Sequence, residues 1–170
     1  MDNIEIVSLR PEEWQLYKEL RLRALKEEPQ AFGSTYEENL NHPDAYWKQR
    51  LEDSFKKDTQ WLLFARLNNQ LIGMIGAYLE KEDQAEVIAM YVMPETRGKG
   101  ISKLLMKELI KKIKINNDIK KIIITVNPEQ KAALHLYHNV GFQLVSQEKD
   151  ILGDGKEHKL YKLQMLTSEV

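Results

Sequence analysis

The stretch Val87–Ile115, VIAMYVMPETRGKGISKLLMKELIKKIKI, constrains the fold more than any other part of the chain. It reads as an apolar strand, a short turn carrying Arg97-Gly98-Lys99-Gly100, and a helix. Ile101, Leu104, Leu105, Leu109 and Ile113 recur at helical spacing toward a core, with Lys103, Lys107, Lys111 and Lys114 toward solvent. A strand apolar at almost every position is expected where both faces of a sheet are covered. The turn suits a phosphate-bearing ligand, because the first N–H groups of a helix lack intrahelical partners and point outward.

The flanking segments fit around this unit. Ile4–Leu9 is expected to be a strand, and Pro11 to open a helix whose apolar positions are Trp14, Tyr17, Leu20, Ala24 and Leu25. After a break at Pro29, PQAFGSTYEE is turn-like, and a second helix begins near Pro43 with Tyr46, Trp47, Arg50, Leu51 and Phe55 near one face. Trp61–Leu67 and Leu71–Leu79 are strands joined by a tight Asn68-Asn69 turn, and with Ala85–Val92 they form an antiparallel meander. Lys121–Val126 follows the lysine-rich helix, so it should lie parallel to Ala85–Val92 through a right-handed crossover. Asn127-Pro128-Glu129-Gln130 reads as a helix start with Asn127 as cap. Ala132, Ala133, Leu136, Tyr137 and Val140 form that helix's apolar side, and Gly141 its C-cap. Phe142–Ile151 and His158–Met165 form a final hairpin. The expected fold is α/β, with a mixed, mostly antiparallel central sheet flanked by helices on both faces. No linker or repeat divides residues 1–170, so one domain is expected.

Composition removes several function classes. There are no cysteines, which rules out disulfides, a cysteine nucleophile and thiolate metal sites, and fits a cytoplasmic protein. Neither a secretory signal in MDNIEIVSL nor a membrane-spanning apolar run is visible. From Arg97 to Lys121 nine lysines or arginines face only Glu108 and Asp118, yet the net charge is −1 and no aromatics interleave them, so nucleic acid is not an expected partner. The four histidines, His42, His135, His138 and His158, show no metal-ligand spacing, so no metal is expected. The turn lacks both the full G-x-G-x-x-G pattern of dinucleotide-binding domains and the G-x-x-x-x-G-K-[ST] of a P-loop. NAD and ATP are therefore poor candidates for the phosphate ligand.

Two segments carry a more specific resemblance. Arg97-Gly98-Lys99-Gly100-Ile101-Ser102 resembles the R/Q-x-x-G-x-G/A motif of the GCN5-related N-acetyltransferase (GNAT) superfamily, with Ser102 where glycine or alanine is usual. VNPEQKAALHLYHNVGF, Val126 to Phe142, resembles that superfamily's second conserved region, and RLRALKEEPQAFGSTYEE, from Arg21 to Glu38, a segment found in one branch of it. The resemblance implies the acyl-CoA N-acyltransferase fold and transfer of an acetyl group from acetyl-CoA to a primary amine of a small molecule or peptide. Backbone groups of Met90, Tyr91 and Val92 would pair with the pantetheine arm. N–H groups from Gly98 to Ser102 (Lys99, Gly100 and Ile101 between them) would hold the pyrophosphate, with the Arg97 and Lys99 charges close by. Asn127 and Ala133 match further cofactor-side positions.

For catalysis the resemblance implies Tyr137 as the acid beside the departing thiolate and Glu86 as a general base acting through water. A tyrosine hydroxyl can donate a proton or a hydrogen bond at neutral pH. Acceptor choice should rest on the first two helices and the loop between them, with help from the final hairpin. Glu27, Glu28, Glu37, Glu38 and Asp44 make that region acidic and favour a cationic amine such as a polyamine, a lysine side chain or a peptide N-terminus. Protein N-terminal or lysine acetylation is the enzymatic alternative, and a non-catalytic acyl-CoA-binding or interaction module the alternative of another class. Edge strands in such a sheet would also allow a homodimer.

Overall fold

The computed structural model describes residues 3–169. Its centre is a seven-stranded sheet in the order β1-β2-β3-β4-β5-β7-β6. Strands β1 (Ile4–Val7), β2 (Gln60–Leu67), β3 (Gln70–Lys81) and β4 (Gln84–Val92) pair antiparallel in succession. Asn68 and Asn69 turn β2 into β3 with φ values of 50° and 66°, the left-handed conformation that asparagine tolerates best among side-chain-bearing residues. Strand β5 (Lys121–Val126) lies parallel to β4, as expected for strands joined through a helix.

The last two strands, β6 (Gln143–Ile151) and β7 (Glu157–Leu166), form the expected antiparallel pair, but β7 slots between β5 and β6. The reason lies in their side chains. Leu163 and Met165 give β7 a face buried in the core, and Leu160 is buried on its other side, whereas β6 is exposed at every position and takes the outer place. Glu148, Lys149 and Asp150 on that edge discourage further strand addition.

Helices cover both faces. Helix α1 (Trp14–Glu27) and helix α3 (Asp44–Lys56) meet through Tyr17 and Trp47, whose rings lie edge to face at 5.1 Å, and Tyr17 also packs edge-on to Phe64 of β2 at 5.5 Å. The residue next to Phe64, Ala65, pairs with Gly73, and a Cβ on Gly73 would lie 3.3 Å from Leu105 of helix α4 (Ile101–Lys114). Neighbouring strand residues point to opposite faces, so α1 and α4 sandwich the sheet.

Local boundaries depart from the sequence reading in four places. Pro11–Glu13 is a 3₁₀ turn ahead of α1. PQAFGSTYEE contains a 3₁₀ turn at Pro29–Ala31 and the start of a short helix α2 (Tyr36–Leu40). That helix is secured by a reciprocal capping box between Thr35 and Glu38, both bonds 3.1 Å. The buried stripe of α4 includes Met106 and Ile110, leaving Leu104 exposed, because the helix packs on β2, β3 and β4 and also meets helix α5 (Lys131–Val140). Helix α5 itself begins after Gln130. Asn127 Oδ1 accepts from the Glu129 backbone N–H at 3.0 Å in a local turn, while its Nδ2 lies 3.4 Å from the Gln30 carbonyl. These bonds hold Asn127 in a loop, so it does not cap the helix.

Candidate active site

A cleft of about 950 Å³ opens where β4 and β5 part. The two strands are in register only from Gln84–Lys121 to Val87–Ile124. Beyond that point Ala89 takes φ 60°, and the β3 register jumps from Gly76–Ile88 to Met74–Tyr91, leaving Ala89 and Met90 opposite Ile75 alone. This bulge bends β4 away from β5 and frees its backbone groups from the ladder. Holding an alanine in the left-handed region costs about 1–2 kcal/mol, a strain of the kind that persists where a site uses it.

One end of the cleft is built by the turn into α4. Gly98 and Gly100 have φ values of 83° and 77°, and a Cβ at either would meet no protein atom within 4 Å. Glycine is thus demanded by conformation, and the space in front of the turn is open. Gly100 caps α4 without a side chain, so the first helical N–H groups are left for an anion. Gly98, Gly100, Ile101 and Ser102 all line the cleft, as do Met90, Tyr91 and Val92 along β4. Arg97 lines it too, but its Nε donates to the Val92 carbonyl at 2.9 Å and its Nη2 pairs with Glu28. That guanidinium therefore also braces the turn against the end of α1. Lys99 is not among the lining residues.

Asn127, Ala133 and Tyr137 complete the opposite wall. Tyr137 is buried, with its ring edge-on to Phe142 at 6.2 Å. Its hydroxyl has no hydrogen-bond partner among the described residues, and burial pushes its pKa up, so it stays protonated. Glu86 lines the cleft from β4, and Tyr78, directly across the β3–β4 ladder, donates a short hydrogen bond to Glu86 Oε2. Burial and that carboxylate raise the Tyr78 pKa, so the phenol remains the donor and orients Glu86.

The other end of the cleft is bordered by a clasp between two loops. Gly153, in the β6–β7 turn, donates to the Phe32 carbonyl at 2.7 Å, and a Cβ there would stand 2.6 Å from the Ser34 oxygen and 2.7 Å from the Pro29 oxygen. Behind it, His158 bridges Asp154 (2.8 Å) and Asn127 (3.3 Å). Gly153→Ala is therefore expected to lower the melting temperature by roughly 2–12 °C, because three backbone carbonyls must retreat from the added Cβ; thermal melts of the two proteins would measure this.

Sequence reasoning missed Phe32 and Arg21 as cleft residues, and Tyr78 as the partner of Glu86 behind the cleft wall. The Tyr78–Glu86 pair becomes visible only once strand register is known. Arg21 carried a readable signal: it falls four residues after Tyr17 and three before Ala24, on the buried face of α1.

Among the described residues no helix is long and apolar enough to cross a membrane, and no group of three His, Cys, Asp or Glu side chains is placed to hold a metal ion.

Comparison with known proteins agrees with this architecture. The chain is 31% identical over 87 residues to N-acetylaspartate synthetase of Danio rerio, covering 51% of this chain and 30% of that protein. It is 24% identical over 107 residues to L-2,4-diaminobutyric acid acetyltransferase of Methylotuvimicrobium alcaliphilum, covering 62% and 60% respectively. The chain thus spans 30% and 60% of the length of these curated relatives, less than two thirds of each. Among solved structures, an acetyltransferase of the GNAT family from Streptococcus pneumoniae superposes with a TM-score of 0.85 at 19% identity, covering 96% of this chain and 99% of that one. A putative acetyltransferase from Salmonella typhimurium, solved with its cofactor acetyl-CoA, gives 0.81 at 16% identity, covering 97% and 94%. These structures share the fold. The acetyltransferase (GNAT) family model matches residues 14–142, and the chain belongs to that family.

Proposed function

We propose that this chain transfers the acetyl group of acetyl-CoA to a primary amine of a small molecule or peptide by direct attack in a ternary complex. One observation carries the reading: a single cleft joins the open, uncapped turn at Gly98–Ser102 to both Tyr137 and Glu86. The cradle fits a diphosphate, since the turn offers backbone donors, left-handed glycines and empty space. Acetyl-CoA would supply the activated acetyl thioester. Gly98 to Ser102 would hold its pyrophosphate, and the backbone freed by the bulge at Ala89 would orient the pantetheine arm and the thioester carbonyl. Glu86 takes the proton of the incoming ammonium through water, and the Tyr137 hydroxyl protonates the departing sulfur.

A thiol-release assay with acetyl-CoA and a panel of amines and peptides tests the reading; cofactor binding without turnover of any of them would favour a non-catalytic module. Glu86→Gln is expected to lower kcat/KM for the amine about tenfold to hundredfold near neutral pH. The deficit should shrink as pH rises and more of the amine arrives already unprotonated, and a constant deficit across the profile would assign Glu86 to positioning.

A further inference from the structure

Among the described residues, three buried side-chain nitrogens have no hydrogen-bond partner: Arg21 Nη1, Arg50 Nε and Trp47 Nε1. All three are donors, and they belong to one cluster between α1 and α3. The rings of Tyr17 and Trp47 are in edge contact, and the charges of Arg21 and Arg50 both act on Tyr17. Neither arginine forms a salt bridge among the described residues. Arg21 stacks over Phe32 at 4.9 Å, and both residues line the cleft. A buried cation without a counter-charge is costly unless a ligand supplies one.

We infer that Arg21 receives a carboxylate of the acceptor, so that the preferred acceptors are amines that also carry a carboxyl group, such as amino acids and their close derivatives. The inference rests on the acetyl-transfer reading above and names the acceptor class of the same cleft. It also revises the cationic acceptor suggested by the acidic sequence around α1 and α2. Glu27 is held by Tyr91 and Arg23, Glu28 by Arg97, and Glu38 is spent on the Thr35 capping box. Those acids are committed to the protein's own donors, whereas the guanidinium of Arg21 is not. Burial lowers the Arg21 pKa, consistent with a cation short of anionic neighbours. Glu86 on β4, with Glu148 and Asp150 across the cleft on β6, leaves a negative side for the ammonium.

The test compares each amino acid with its α-carboxamide and its decarboxylated amine, for example lysine, lysinamide and cadaverine, or ornithine, ornithinamide and putrescine. Initial rates are taken at equal concentrations of unprotonated amine. At least one amino acid should show a kcat/KM about 10- to 100-fold above both carboxylate-free counterparts, the range of a charge-assisted bond. Arg21→Gln should bring that ratio near one and Arg21→Lys should keep part of it, with acetyl-CoA affinity reporting that each variant is folded. Turnover of amines with no carboxylate preference, or a preference that survives Arg21→Gln, overturns the inference while leaving acetyl transfer intact. Binding of acetyl-CoA with no turnover of either kind of amine overturns both. Should Arg21→Gln fail to fold, the wild-type comparison alone decides.

Discussion

Replacing Tyr137 with phenylalanine is expected to lower kcat by about 10²–10⁴-fold with little change in acetyl-CoA affinity, the range ascribed to a positioned general acid. The substitution is unusually clean. The ring is buried and packs on Phe142, and phenylalanine retains that packing. The hydroxyl has no partner among the described residues, so no protein group is orphaned by its loss and stability should change by less than about 1 kcal/mol. The pH dependence has a definite sign. Burial raises the Tyr137 pKa, so the proton is held above the ordinary tyrosine range and donation is not lost as pH rises. The wild-type rate should therefore climb with pH as the amine deprotonates and reach a plateau, without an alkaline fall from Tyr137. Steady-state kcat against pH, with calorimetric binding of acetyl-CoA to both proteins, measures this. A variant with kcat within about threefold of wild type would mean that the departing sulfur needs no proton from this group.

The contrast between what the sequence disclosed and what it hid follows from how each feature is encoded. The meander, the crossover and the amphipathic α4 are written as local periodicity, and the structure reproduces each of them. The turn into α4 is legible because positive φ leaves a glycine signature at Gly98 and Gly100. The bulge that opens the cleft leaves no such mark: Ala89 sits at φ 60° in an apolar run that reads as uninterrupted strand. Its strain is maintained by the pairing on either side, which is tertiary information. Placement of β7 inside β6 is likewise a comparison between two strands, one with a buried face and one without, and hairpin logic considers only their adjacency. The acidic character of α1 and α2 is only partly informative for a related reason. A count of carboxylates says nothing of which are already engaged, and Glu27, Glu28 and Glu38 each have a partner supplied by the fold.

Gly100→Val should weaken acetyl-CoA binding about a hundredfold, through two effects that fall on the same residue. Gly100 holds φ at 77°, and a side-chain-bearing residue there costs about 1–2 kcal/mol, with β-branched residues at the upper end. Relief of that strain would rotate the peptide planes that present the first N–H groups of α4, and bonds from such groups to a charged ligand contribute about 1.5–3 kcal/mol each. The substituted side chain would in addition occupy the open space in front of the turn, where no protein atom lies within 4 Å. Because nothing beyond its chain neighbours opposes the Cβ, the stability loss should stay near the strain alone, a fall in Tm of roughly 2–8 °C for a chain of this size. Gly100→Ala separates the contributions, since it carries the strain with little bulk and should lose only about tenfold in affinity. Acetyl-CoA titration calorimetry and thermal melts of the three proteins give both quantities. At saturating acetyl-CoA the valine variant should recover kcat to within a few-fold, because Tyr137 and Glu86 lie on other elements of the cleft; unchanged affinity in both variants would place the phosphates away from the Gly98–Ser102 turn.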